Sequence, residues 1–265
     1  MLWRWLGVAV AVPSLVVVGL VLGSLLASGG GGVVAANHDS ASAGSVLAGL
    51  RASAPEAPPE SVVADVKRHE ALVYRTPGVR HPWRRFSNPT PQRTPLVFLV
   101  RAHMGPWLRV MLPTRPNGSE GWIRAADVEL RGDPYSVLVD LRKRRMVVRD
   151  AGRKLLEVAV GVGKAATPTP SGLYYVAELL RQPDPGGVYG PWAFALSAHS
   201  SVLSHFGGGD GQVGLHGTDE PSGIGHTVSH GCIRVRNRVI ERLAAILPLG
   251  TPVRIVAPAR QFTRT

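Results

Sequence analysis

The sequence predicts a mainly β protein with two successive sheet-based units, one helix and an apolar span at its amino terminus. Three observations carry this. Short apolar or alternating runs are divided throughout by Pro, Gly and Asn clusters, in a chain of 265 residues with 31 Gly and 22 Pro. Only one segment, near the carboxyl end, repeats its apolar residues at helical spacing. The first uncharged run, Leu6 to Ala27, is long enough to cross a hydrocarbon core of about 30 Å at roughly 1.5 Å per residue.

Taken in order, Arg4 precedes that run, so residues 1–28 read as a transmembrane signal anchor. The positive-inside rule places everything after it outside the cytoplasmic membrane. Secretion after cleavage near Val34-Ala35-Ala36 is the alternative. Residues 29–60, with Gly29 to Gly32 followed by Ala, Ser, Pro and Glu, hold too little hydrophobic pattern to fold and read as a flexible linker.

Residues 61–132 read as short strands at Val62 to Val66, Ala71 to Tyr74, Leu96 to Arg101, Trp107 to Leu112 and Gly121 to Arg124. Their spacing suggests a small antiparallel barrel, with Asn117-Gly118 turning the hairpin that ends in Gly121-Trp122-Ile123. With Tyr74-x-x-Pro77-Gly78 in front, this segment resembles bacterial SH3-like domains. It is also the most basic part of the chain, with 12 Lys or Arg against 5 Asp or Glu, within a net charge of +12. A basic module outside the membrane suits an anionic envelope polymer or lipid headgroup. Nucleic acid is not expected, because no zinc-finger or RRM-type motif is present.

Residues 133–257 continue β-rich but longer, at Ser136 to Asp140, Arg145 to Arg149, Leu155 to Val162, Leu173 to Val176, Ala193 to Ser197, Val213 to His216 and finally Val253 to Val256. The helix lies between the last two. Asn237 is placed to cap it, Val239, Ile240, Leu243, Ile246 and Leu247 share one face, and Pro248 to Gly250 ends it. Residues 258–265 form a basic tail.

The chain has one cysteine, Cys232, which excludes an intrachain disulfide and any Cys-cluster metal site. Leu215-His216-Gly217-Thr218 is followed by Ser229-His230-Gly231-Cys232-Ile233-Arg234. An ordinary thiol is a few per cent ionised at neutral pH, and a nearby imidazole can take its proton as it attacks. A Cys-His pair is therefore sufficient for acyl transfer. Gly231 allows close backbone approach, so amides near Cys232 can face a developing oxyanion. His230 is two residues from the thiol, whereas His216 must be brought in by the fold.

These residues resemble the L,D-transpeptidases with a YkuD-type catalytic domain, whose signature is His-Gly-Thr, a gap, then Ser/Thr-His-Gly-Cys with a basic or polar residue two places on. Thr169-Pro170-Ser171-Gly172 and the run from Gly190-Pro191-Trp192 to Leu196-Ser197 add to the likeness. The resemblance implies Cys232 as nucleophile and His216 as general base and acid, oriented by the Gly217 carbonyl. His230, Gly231 and the Cys232 amide would form the oxyanion pocket. The implied donor is a peptidoglycan tetrapeptide stem that loses D-Ala to leave a thioester, and a diamino acid of a second stem accepts it as a 3→3 cross-link. Substrate-binding roles fall to Ser229, to Arg234 toward a donor carboxylate, and to Tyr189 in a flap. A surface role for Arg234 and a loop-pinning role for Tyr189 stay open, as does a structural role for His230.

Two rival readings stay open as well. One is a zinc-dependent envelope hydrolase with His216, His230 and Cys232 as ligands. The other is a non-catalytic cell-wall-binding protein with the basic module as its working part. The transpeptidase reading needs no metal or cofactor. The chain shows no heptad or other assembly signal, so a monomer is expected.

Overall fold

Alternation of apolar and polar residues commits most of the chain to strands with one buried face, and the computed structural model describes residues 61–205 and 209–257. The transmembrane segment, the linker and the basic tail expected from the sequence lie outside the described residues.

The first unit is a five-stranded antiparallel sheet. Its strands are β1 (Ser61–Val66), β4 (Val97–Met104), β5 (Trp107–Met111), β6 (Glu120–Arg124) and β7 (Val128–Asp133), in the order β6-β5-β4-β1-β7. A ribbon of β2 (Glu70–Val73) and β3 (Arg84–Ser87) is tied to β6 by paired backbone bonds between Tyr74 and Trp122, each of 2.8 Å. One face encloses Phe98, Leu108, Val110 and Ile123. The hairpin of β5 and β6 forms as expected, with Gly118 at φ +80 in its turn.

The second unit is an eight-stranded mixed sheet in the order β10-β9-β8-β17-β12-β13-β14-β16. Its strands are β8 (Tyr135–Asp140), β9 (Arg145–Asp150), β10 (Arg153–Ala159), β12 (Gly172–Arg181), β13 (Trp192–His199), β14 (Gln212–His216), β16 (Ile233–Arg234) and β17 (Pro252–Val256). The neighbours β8 and β17, and β14 and β16, run parallel, and the other pairs are antiparallel. β11 (Val162–Gly163) and β15 (Thr227–Ser229) make a separate short parallel pair. The single α-helix among the described residues, α1 (Asn237–Ile246), packs its buried Ile240 and Leu243 into the core of this sheet with Phe194, Leu196 and Leu215.

Several expectations change. The run from Leu155 to Val162 is not one strand: β10 ends at Ala159, and Gly161 exchanges backbone bonds of 2.8 and 2.9 Å with Arg234. A Cβ at Gly161 would lie 3.0 Å from the Gly223 carbonyl oxygen, so a bulkier residue would press the two segments apart at that crossing. The strand read at Leu173 to Val176 extends to Arg181. Asn237 does not cap α1. Arg236 holds the N-cap position without a side-chain bond, and the Asn237 side chain is used elsewhere.

The two sheets share an interface. Val63, Val97, Leu99 and Met111 of the first pack against Tyr175 and Ala177 of β12. Polar locks border it. Arg115 donates to the carbonyls of Ser200, Leu203 and Asp210 at 2.5 to 2.8 Å, while Asn117 both donates to the His199 carbonyl (2.7 Å) and accepts from its N–H (2.8 Å). The hairpin turn is thus a docking element. Asn117→Ala removes both bonds and strands part-buried backbone groups, so stability in urea should fall by about 1–3 kcal/mol with an unchanged m-value. An unaltered midpoint would contradict this account of the junction.

Candidate functional site

Parallel pairing of β14 with β16 sets Leu215 beside Ile233 and His216 beside Arg234. Cys232, one residue before β16, is thereby drawn level with Gly214, two residues before His216. The Gly214 N–H donates to Cys232 Sγ at 3.3 Å. A Cβ at Gly214 would lie 3.8 Å from that sulfur and 3.5 Å from His216 Cδ2, so thiol and ring occupy the same flank of β14. Both line a cavity of about 230 Å³ together with Tyr189, Ser229, His230 and Arg234.

His216 is buried, and its Nδ1 lies 2.6 Å from the Gly217 carbonyl oxygen. Nδ1–H is therefore the donor, which leaves the Nε2 lone pair free to accept a proton. Burial pushes the imidazole down to about 4 against the opposing pull of the Gly217 bond. Burial also pushes the Cys232 thiol up, with the Gly214 N–H and the Arg234 charge acting the other way. Burial thus disfavours the charged form of both groups, and with it an ion pair.

The loop carrying Gly217 is fixed from below. Thr218 N–H donates to Asn237 Oδ1 at 2.7 Å, and a Cβ on either Gly217 or Gly190 would come within 2.4 Å of that same oxygen. Two glycines and one asparagine thus close the floor beneath the imidazole. A polar residue at a helix start reads as a cap in sequence, and nothing local distinguishes it from a residue that ties a distant loop. Tyr189, one residue before Gly190, sets its ring edge-to-face with His216 at 4.9 Å.

The turn before the thiol is held by Ser229. Its buried hydroxyl donates to the Cys232 carbonyl (2.6 Å) and accepts the Gly231 N–H (3.1 Å). Ser229 therefore spends its hydroxyl within the turn, and the Gly231 amide is engaged there. Gly231 has φ +121, a conformation that favours glycine. Thr167 Oγ1 donates to the Ser229 carbonyl at 3.2 Å, and Thr169 Oγ1 accepts the Gly163 N–H at 2.9 Å, so the Thr-Pro segment buttresses the turn. His230 is exposed at the cavity rim. Arg234 pairs with Glu220 at 3.1 Å, while its buried Nε has no hydrogen-bond partner among the described residues. The zinc alternative finds no support in this arrangement: no three His, Cys, Asp or Glu side chains among the described residues are grouped to hold a metal, and Nδ1 of His216 faces the Gly217 carbonyl.

By fold and site, this is a mixed β-sheet domain that presents one thiol and one fixed imidazole in a common cavity. The L,D-transpeptidase catalytic domain, as a family, matches residues 134–255. A Bacillus licheniformis protein bearing the name L,D-transpeptidase YkuD is 38% identical over 122 residues, 46% of this chain and 66% of its own length. Another relative, named L,D-transpeptidase YqjB, from Bacillus subtilis, is 30% identical over 144 residues, 50% of this chain and 77% of its own. The chain belongs to the L,D-transpeptidase family, although it spans slightly less than two thirds of the first of these relatives. A crystal structure of an Enterococcus faecium L,D-transpeptidase aligns with TM-score 0.37 and 22% identity, over 49% of this chain and 56% of that one.

The depressed His216 value has a consequence for stability. The unfolded chain binds the imidazole proton below about 6.5 while the folded one resists it to about 4. This contribution is complete above about pH 6.5 and is lost as pH falls toward 4, by up to about 3 kcal/mol. Urea unfolding from pH 7 to pH 4 should show a steeper loss for the native chain than for His216→Gln. Parallel curves would refute the buried neutral imidazole.

Proposed function

We propose that this chain is a peptidoglycan L,D-transpeptidase that forms 3→3 cross-links through a thioester on Cys232. The observation that carries the reading is the His216 imidazole fixed through Nδ1 to the Gly217 carbonyl in the cavity it shares with the thiol. In this mechanism Nε2 takes the thiol proton as Sγ attacks the carbonyl carbon of the third stem residue. The tetrahedral intermediate collapses with cleavage of the C–N bond, and His216 returns the proton to the departing D-Ala amine. The acceptor amine then attacks the thioester, His216 takes its proton, and Sγ leaves to be reprotonated. Water in place of the amine gives hydrolysis.

With the Gly231 amide turned to Ser229, the Cys232 amide and the His230 side chain are the groups we assign to the developing oxyanion. Arg234 is assigned to a donor carboxylate through its guanidinium, and Tyr189 to covering the bound stem. Ser229 and Gly231 serve by shaping the turn. We further infer an SH3-like character for the first unit, anchoring through residues 1–28 with the catalytic unit outside the cytoplasmic membrane, and a monomeric state. The basic charge of the first unit suits an anionic envelope polymer.

Cys232→Ala and His216→Ala should each reduce 3→3 product and D-Ala release by about 10³-fold or more. Intact-protein mass spectrometry after carbapenem exposure should find one adduct, on Cys232. A folded native chain that yields neither adduct nor D-Ala release would sink the assignment, and retention of cellular function by Cys232→Ala would favour the non-catalytic wall-binding reading.

A further inference from the structure

A second and larger cavity, of about 500 Å³, opens where the two sheets meet. Its volume falls in the range of small-molecule sites. Its wall includes Phe86 and Thr90 from the first unit, Glu178 of β12, His199 of β13, Asp210 and Tyr189. Tyr189 also lines the cavity of Cys232 and His216, so the two spaces adjoin across one aromatic ring.

Its charge is opposite to that of the protein. In a chain with 30 Lys or Arg and 18 Asp or Glu, this wall holds two carboxylates and no Lys or Arg. Arg115 is nearby, but its guanidinium is spent on three backbone carbonyls. Glu178 is 8% exposed and sits in an otherwise apolar stretch of β12. The pairing of β12 with β13 shifts register between Val176 and Glu178, so consecutive residues Ala177 and Glu178 both line the cavity, which regular alternation would forbid. The bulge thus aims a carboxylate into the cavity from a buried position, where burial raises its pKa and the Thr90 hydroxyl bond only partly offsets that.

His199 supplies a second, independent sign of a ligand. It is 2% exposed, and its Nε2 lies 3.0 Å from Asp210 Oδ2. With Nε2–H donated to that carboxylate, Nδ1 is a hydrogen-bond acceptor, and it is buried with no partner among the described residues. Two carboxylates and one unsatisfied lone pair, beside the apolar surfaces of Phe86, Leu96, Val97 and Leu180, match a primary ammonium on an aliphatic stem.

We propose that this cavity captures the amine-bearing side chain of the acceptor, with Glu178 and Asp210 as counter-charges and His199 Nδ1 accepting one N–H. The assignment to an acceptor rests on the transpeptidase reading. The amine is collected beside the thioester, gives its extra proton to the Glu178 carboxylate and then reaches the thioester past Tyr189 as the free base.

The test uses the Cys232→Ala chain, which cannot acylate, titrated by calorimetry with Nα-acetyl-L-lysine amide, with the norleucine analogue that lacks the ammonium, and with putrescine. Lysine amide should bind at least tenfold more tightly than the norleucine analogue. Glu178→Gln should weaken it about tenfold, and Asp210→Asn, at the 69% exposed carboxylate, by a smaller factor. Equal affinity for lysine and norleucine amides, or undiminished lysine binding in both variants, overturns the proposal. Tighter binding of putrescine than of the peptide-like amide overturns the acceptor assignment in favour of a free diamine. Acylation of Cys232 in the native chain is scored separately. Its failure would remove the transpeptidase reading while leaving the ammonium site to stand or fall on these titrations.

Discussion

The site depends on one pairing, the parallel contact of β14 with β16. Parallel neighbours cannot be joined by a tight turn and need a crossover of about a dozen residues or more. The 16 residues from Gly217 to Cys232 are that crossover, so the gap between the two motifs is a geometric requirement of the sheet. Along it the chain makes β15, pairs with β11, and returns through the Ser229 turn to deliver the thiol beside Gly214. A hairpin would have reversed the strand direction and broken the register that sets Arg234 beside His216.

Burial then decides the chemistry of the pair. In water the imidazole would be partly charged near neutrality, but enclosure by Tyr189, Gly217 and α1 disfavours the cation and leaves a base ready to accept a proton. The same enclosure disfavours the thiolate. A sulfur held as thiol is less open to oxidation than a thiolate, and with no second cysteine in the chain it has no intrachain partner for a disulfide.

Strands with strong alternation, such as β8 and β14, and the apolar face of α1 are legible because local pattern and burial agree. β3, reading Arg-Arg-Phe-Ser, and β7, reading Val-Glu-Leu-Arg-Gly-Asp, are too polar to signal a strand, since β3 sits in a two-stranded ribbon and β7 on a sheet edge. The thiol and the imidazole are legible from their motifs, but what steadies them is not. Asn237 is a cap by sequence and a loop anchor in space. Ser229 reads as a ligand for substrate and is consumed in its own turn. Glu178 breaks an apolar strand, and only the bulge explains why it is tolerated.

The first sheet is more than a spacer. Val63, Val97, Leu99 and Met111 form a shared core with Tyr175 and Ala177, so the side of β12 that would otherwise meet water is closed by the first sheet. A Cβ at Gly250, where φ is +92, would come within 2.4 Å of Val63 Cγ1, so the Val63 side chain packs directly against the Gly250 backbone. Where this contact opens, the large cavity begins, its walls drawn from both sheets. The position of Tyr189, between that cavity and the imidazole, therefore ties the docking of the first unit to the surroundings of Cys232. Any shift of the Arg115 and Asn117 lock acts on His199, Ser200, Leu203 and Asp210, to which it is bonded, and so on one wall of the large cavity that Tyr189 shares with Cys232.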